Sequence, residues 1–378
     1  MSVGTIDAVS FSGEAVVSTV GDVPAAHAQA RRFAAQLLCG PPAASPLRVA
    51  ERLLAIQGQD PRGARLAVRA RTTGLTAADV DRALTQDRSL LITWLNRGTL
   101  HLIRTEDYWW LHRLTARAQY QVGCRRILAR LGVSADAADR GVGVVERALA
   151  ADGPLTRAQL AERLQRTGLP ADGGAALHVL TLASLRGLAV RGPVIGGQHA
   201  YVHVRSWLGE SPAEPEPGRA LGWLARRYLA GHGPSSDRDL AKWGGVPVTW
   251  ARRGLTEIAK ELRDRPDGLA ELATAPSPAG PPPPRLLGPF DPVLLGWVSR
   301  ASVLGGHQGI VTDNGLFRPF ALVAGRAAGT WTYQGGQVVL IPFGALPADA
   351  ADALAAEADD VRRYLAHAPD LATDEGST

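Results

Sequence analysis

The sequence predicts a mainly helical α+β protein in which helix-turn-helix units recur before a small antiparallel β-sheet or barrel. Three observations carry this. Gly153-Pro154-Leu155-Thr156 and Gly233-Pro234-Ser235-Ser236 open the same pattern, Gly-Pro-x-(Ser/Thr)-x-x-x-Leu-Ala, 80 residues apart. Each copy reads as a helix end, a turn, an N-cap (Thr156, Ser236) and a short helix, the middle of a helix-turn-helix; two ordinary αα-hairpins are the alternative. After the first copy a helix over 174–188 leads to two β-like runs, 188–191 and 199–204, separated by Gly192-Pro193 and Gly196-Gly197. Three helices and a hairpin make a winged helix. Finally, residues 285–344 alternate and turn often at glycine pairs and at Asp313-Asn314-Gly315.

The elements follow in order. Residues 1–24 lack a period and read as a loose extension. A helical pattern with Arg31, Phe33 and Leu37 runs to the break at Cys39-Gly40-Pro41-Pro42. Ser45 caps a second helix, Pro46 sits in its first turn, and Leu47, Val49, Leu53, Leu54 and Ile56 are its apolar positions. Gly58 and Pro61 should end it near Gln57 and hold Asp60 extended. Residues 76–92 read as helix, with Thr76 as cap and Val80, Leu84, Leu90 and Leu91 on one face. A strand follows at 99–103, then a helix capped by Thr105-Glu106-Asp107 that carries Trp109 and Trp110 in core packing. The second Gly-Pro copy leads to a helix at 248–263 and a β segment at 268–273. Residues 275–284 are a Pro-rich linker, and a last helix covers about 347–366 before an acidic tail. The partition is an extension (1–24), a first winged-helix region (25–130), a second (131–215), a third (216–275), and a linker, β-rich domain and terminal helix (276–378).

Of the 378 residues 46% are apolar and 20% charged, and no apolar run nears the roughly 20 residues needed to span a bilayer. The N-terminus lacks the basic and apolar regions of a secretion signal. Cys39 and Cys124 cannot build a disulfide framework, and no zinc spacing exists. A cytoplasmic monomer without metal or cofactor is expected. The net charge of +5 permits a polyanionic partner. All but Lys242 and Lys260 of the 41 basic residues are arginine, which fits GC-rich coding or phosphate binding and leaves little room for Schiff-base chemistry.

Residues 53–62, Leu-Leu-Ala-Ile-Gln-Gly-Gln-Asp-Pro-Arg, resemble the Gln-x-Gln segment of the AlkZ/YcaQ-type winged-helix DNA glycosylases. Further matches are Arg97-Gly98-Thr99-Leu100-His101-Leu102 with Asp107, Leu286-Leu287-Gly288-Pro289-Phe290-Asp291 with Leu294-Leu295-Gly296, Gly315 to Pro319, Gly325-Arg326 and Gly329-Thr330-Trp331. Their order runs over most of residues 30–345. The resemblance implies tandem winged helices around a concave DNA-binding face and hydrolysis of the bond between deoxyribose and an alkylated base. It carries the catalytic pair onto Gln57 and Gln59. An acidic residue marks the second position in the YcaQ branch, so Gln59 points to the AlkZ branch.

Glutamine is neutral and no general base near pH 7, but its carbonyl can hold a water and its amide can donate. That suffices where the leaving base is already cationic, as in N7-alkylguanine or N3-alkyladenine. In a helix the two side chains would point about 200° apart, whereas an extended segment puts them on one face. Asp60 is a helper carboxylate or a turn residue, His101 a core histidine or a cleft wall, and Asp291 an orienting group or a turn residue. Arg62, Arg65, Arg69 and Arg71 form a phosphate-facing row or a solvated helix face, and Arg97 and Arg318 are further DNA contacts. The activity expected is a monofunctional glycosylase for duplex DNA carrying alkylated purines, with bulky adducts or interstrand crosslinks among its substrates, in repair or genotoxin self-resistance. The alternative is a winged-helix transcriptional regulator without enzymatic activity. The helix at 174–188 offers only His178 and Arg186 as base readers, poor material for it. A damage- or drug-binding protein without catalysis is a third reading.

Overall fold

Side-chain caps set where several of the helices begin. The computed structural model describes residues 23–170, 173–278, 280–312 and 315–366. The expected extension up to residue 22, the Asp313-Asn314 turn and the acidic tail lie outside them. α1 (Val23–Ala35) leads to α2 (Pro46–Leu53), where Ser45 Oγ accepts from the Arg48 N–H at 3.3 Å. α2 stops four residues before the expected Gln57. Leu54 takes φ 63° and donates its N–H to Ala50 O, which turns the chain onto a sheet edge. β1 (Ile56–Gln57), α3 (Pro61–Arg69) and α4 (Ala77–Thr85) follow. Leu90 and Leu91 are not the end of a helix; they begin β2 (Leu90–Leu95), which is buried on both faces and so shows no alternation in sequence. β3 (Thr99–Arg104), α5 (Tyr108–Thr115) and α6 (Ala118–Arg130) come next. Asp107 does not cap α5 with its side chain; it binds Arg104 and Arg227 instead.

The two Gly-Pro copies fold alike. α7 (Ala135–Asp152), α8 (Arg157–Gln165) and α9 (Gly173–Leu185) precede the hairpin of β4 (Ala189–Ile195) and β5 (Gln198–His203). After α10 (Val204–Leu208), α11 (Pro217–His232), α12 (Asp237–Gly244) and α13 (Val248–Glu257) lead to isolated bridges, Ser235 with Ala270 and Leu262 with Leu272, in place of a full strand. Thr156 with Gln159, and Ser236 with Asp239, each form a capping box, so the repeated sequence encodes the same helix start twice.

One antiparallel sheet, in the order β1-β3-β2-β4-β5, joins the first hairpin to the second through Ile92 and Arg191. Ile56, Ile92, Leu100 and Leu102 pack with Val49, Leu53 and Val80, while Leu91, Leu95, Ile103 and Val190 meet Tyr228, Leu240 and Trp243. The C-terminal sheet consists of β6 (Arg285–Leu287), β7 (Phe320–Val323), β8 (Arg326–Gln334) and β9 (Gln337–Pro342), in that order. It is an open sheet rather than a barrel, because β6 and β9 stay unpaired edges and four strands fall short of closure. α14 (Ala301–Leu304) interrupts the stretch 285–344 that reads as β in sequence, and α15 (Ala348–Leu365) packs Leu354, Val361 and Tyr364 with Trp331. Among the described residues no helix is long and apolar enough to cross a membrane.

Candidate active site

The segment at Gln57 is strand. Ile56 pairs with Leu102 and Gln57 with His101, and the Gly58 N–H donates to Leu100 O at 2.7 Å. Since Ile56 and Leu102 point into the core with α2, Gln57 and His101 point to the opposite face, beside Thr93 of β2. The strand ends at Gln57 and Gln59 lies in the bend that follows Gly58, so the extended geometry expected for both amides is met at Gln57 alone. Access is tighter than expected, with Gln57 only 8% exposed and Gln59 half-buried with its Oε1 inward.

Arg97 lies over Gln57. It occupies the β2–β3 turn at φ 60°, donating from Nη2 to Gln57 Oε1 at 3.0 Å and from Nη1 to Trp243 O near the end of α12. Close backbone approach makes this possible. Gly245 caps α12 at φ 65°, where a Cβ would stand 2.6 Å from Arg97 N; at Gly98 (φ 72°) one would stand 2.9 Å from the Tyr120 ring. Tyr120 in turn donates to Gly245 O at 3.3 Å. Burial pushes the Arg97 guanidinium down to about 10, and the nearby Arg300 charge pushes the same way, so Arg97 stays a cation at neutral pH.

His101 is 2% exposed, and its Nδ1 lies 3.0 Å from Thr99 O. A carbonyl only accepts, so Nδ1 carries the proton and Nε2 keeps a lone pair. Burial, with the Arg97 charge, holds its pKa down to about 3, so the imidazole is neutral wherever the protein works. His232 is held near 3 chiefly by burial as well. An unfolded imidazole titrates near 6.5. Between about pH 6.5 and 3 the unfolded chain thus binds more protons, and stability falls as pH falls; above 6.5 the contribution is complete. Urea midpoints are expected to match at pH 7 and 8 and to drop at pH 5.5. Equal midpoints at pH 7 and 5.5 would contradict neutral burial.

The C-terminal region packs onto the start of α3. A Cβ on Gly63 would meet Pro289 O at 2.5 Å, so the loop through Phe290 lies on the start of α3. Phe290 packs on Phe317 with centroids 5.1 Å apart, and the Arg300 guanidinium sits 5.1 Å over the same Phe317 ring. Tyr120, Trp243, Arg300 and Phe317 were not singled out from sequence. They come from distant segments, and of the four only Phe317 lies in a matched motif, the run from Gly315 to Pro319.

The remaining predicted residues separate. Asp60 is the N-cap of α3, accepting from the Gly63 N–H at 2.6 Å, which favours its turn role. Asp60→Ala is expected to cost about 0.5–2 kcal/mol of stability, read as a lowered melting temperature. Asp291 is no auxiliary in the site. It is fully buried, binds Arg71 through both oxygens at 2.9 Å, and caps the turn at Val293. The arginine row is corrected too. Arg65 is 1% exposed and paired with Asp81, while Arg69 is 3% exposed and held by Glu357 and Asp360. Both lie on the buried side of α3, so neither they nor Arg71 offers a phosphate contact. Arg62 is half-buried, 5.7 Å over the Tyr333 ring, and Arg318 is exposed.

A profile of the family described as DNA glycosylase AlkZ-like matches residues 50–364. A Streptomyces sahachiroi protein named interstrand DNA cross-link repair glycosylase is 28% identical over 324 residues, which is 78% of this chain and 84% of that protein. The solved structure of Streptomyces sahachiroi DNA glycosylase AlkZ superposes with a TM-score of 0.71 at 26% identity, covering 91% of this chain and 97% of that one.

Proposed function

The chain belongs to the AlkZ-like DNA glycosylase family, and from that premise we propose that it hydrolyses the N-glycosidic bond of cationic alkylated purines in duplex DNA, using Gln57 and Gln59. N7-alkylguanine and N3-alkyladenine are the substrate class, extending to bulky adducts and to crosslinks such as the relative's name describes. The observation that carries the reading is the extended backbone at Gln57, which turns its amide to the sheet face shared with His101 and opposite the α2 core, where Arg97 Nη2 donates to it.

The chemistry follows from neutral groups. A cationic base leaves with the bonding electron pair and needs no proton donor, while the sugar becomes oxocarbenium-like. The amide oxygens of Gln57 and Gln59 orient a water and face the developing positive charge. The water oxygen bonds to the anomeric carbon, its proton passes to solvent, and an abasic site remains. A crosslinked base cannot flip freely, so for such a substrate a duplex laid against this face suits better than an extruded nucleotide. The winged-helix units at 25–130, 131–215 and 216–275 would supply that face, with residues 276–378 as the further wall and Arg62, Arg97 and Arg318 as phosphate contacts.

The test is release of free base from duplex DNA containing N7-methylguanine, with one abasic site formed per base released. Sequence-specific binding to undamaged DNA without release of any alkylated base would sink the proposal and favour a regulator. Because His101 titrates near 3 and Arg97 near 10, release is expected to vary by less than about threefold between pH 6 and 9. A step near pH 6.5 would put a titrating histidine in the mechanism and contradict this one.

A further inference from the structure

We propose that Arg97 is a positioning residue for the reaction: it holds the Gln57 carboxamide in one of its two orientations, the one that turns Oε1 to the attacking water, an inference that rests on the glycosylase reading of Gln57.

A carboxamide is nearly symmetric in shape, and half a turn about χ3 exchanges its acceptor for its donor. The two ends act oppositely on a water. An oxygen accepts a hydrogen bond from it and leaves the water lone pair for the anomeric carbon; an NH₂ donates into that lone pair and opposes attack. Gln57 therefore needs its amide fixed, and its neighbour supplies the means. A guanidinium donates and never accepts, so the end that meets Arg97 Nη2 at 3.0 Å is the oxygen. With the amide reversed, two donors would face each other. Arg97 uses one lone pair on Oε1, and the second remains for the water.

Arg97 can set this orientation because it is itself fixed. Its Nη1 donates to Trp243 O in α12. Its backbone sits at φ 60°, which arginine rarely adopts and which persists only where the surroundings impose it. They do so on both sides: the Gly245 backbone stands against Arg97 N, Tyr120 donates to Gly245 O, and the Tyr120 ring covers Gly98. Among the described residues no carboxylate lies within ion-pair distance of Arg97, whereas Arg65, Arg69 and Arg71 each hold one. Its two partners are neutral oxygens, so no stronger acceptor draws the fork away from Gln57.

The test uses the full chain. Release of N7-methylguanine is followed in single turnover at saturating protein, so a phosphate contact made by Arg97 enters the affinity and not the rate. Arg97→Gln is expected to slow release about tenfold in the otherwise wild-type chain and less than about twofold in Gln57→Ala, because it acts through an amide that is no longer there. A residue that only supports the fold would slow both backgrounds alike. If circular dichroism and melting show that Arg97→Gln does not fold, Arg97→Lys carries the same cycle. It keeps the charge but cannot span Gln57 Oε1 and Trp243 O together, and slowing of about threefold is expected. A second readout does not depend on catalysis. In protein made with isotope-labelled glutamine, the side-chain NH₂ resonances that Gln57→Ala removes should shift in the Arg97 variant. Equal slowing in both backgrounds, or unmoved resonances, would overturn the positioning role and leave the glycosylase. Resonances that move, without base release by wild type, keep the oriented amide and remove the glycosylase.

Discussion

Gln57→Ala is expected to slow release of N7-methylguanine by about 10²–10³-fold while leaving affinity for the duplex within about threefold. The size follows from what is removed. The cationic base needs no acid, so water placement and support for the developing sugar cation are the whole contribution of the amides. Truncation takes away Gln57 Oε1, the acceptor held 3.0 Å from Arg97 Nη2, and frees the guanidinium to point elsewhere. Gln57→Glu separates two views of the site. An anion there would pair with Arg97, so activity should fall if the neutral amide geometry matters and rise if negative charge alone does. Gln57→Ala combined with Gln59→Ala should be scarcely slower than the worse single variant, because the two amides orient one water. Single-turnover base release and duplex affinity measured side by side check all of this. Loss of affinity in step with activity would assign Gln57 to binding.

Asp291→Ala should produce the largest loss of stability, about 3–5 kcal/mol, seen as a lower urea midpoint. Arg71 and Asp291 are both fully buried and joined by two bonds of 2.9 Å, and Arg71 also donates to Gln36 O and Oε1 and to Ala67 O. Removing one partner strands a guanidinium away from water. Replacing both, as Arg71→Met with Asp291→Leu, should recover part of the loss. Base release per folded molecule should stay near wild type in the double variant, which a role for Asp291 in catalysis would not allow. This pair ties the end of α3 to the turn at Pro292, next to the loop through Phe290 that packs onto the start of α3.

Local signals reported what is settled locally. Ser45, Thr156 and Ser236 were legible as caps because each bonds within three residues of itself. The repeated Gly-Pro pattern was legible because it encodes one helix start twice. Asp60 was legible as extended because proline follows it. By contrast, Leu90 and Leu91 read as helix since β2 is buried on both faces, so tertiary burial erased its alternation. The early stop of α2 at Leu53 was invisible because it answers to pairing between β1 and β3, a partner some 45 residues away.

The same division runs through the site. The sequence alone determined the family, the Gln-x-Gln segment that carries the resemblance and the extended backbone at Asp60, since each rests on residue type and neighbours a few positions apart. Only the tertiary structure decided which arginines are held by carboxylates. Arg65, Arg69 and Arg71 look the same in sequence as Arg97 and Arg300, but Asp81, Glu357, Asp360 and Asp291 fold against the first three, and no described carboxylate reaches the other two. The reason is physical: an arginine's role is set by where its counter-charge comes from, and that partner is chosen by the fold.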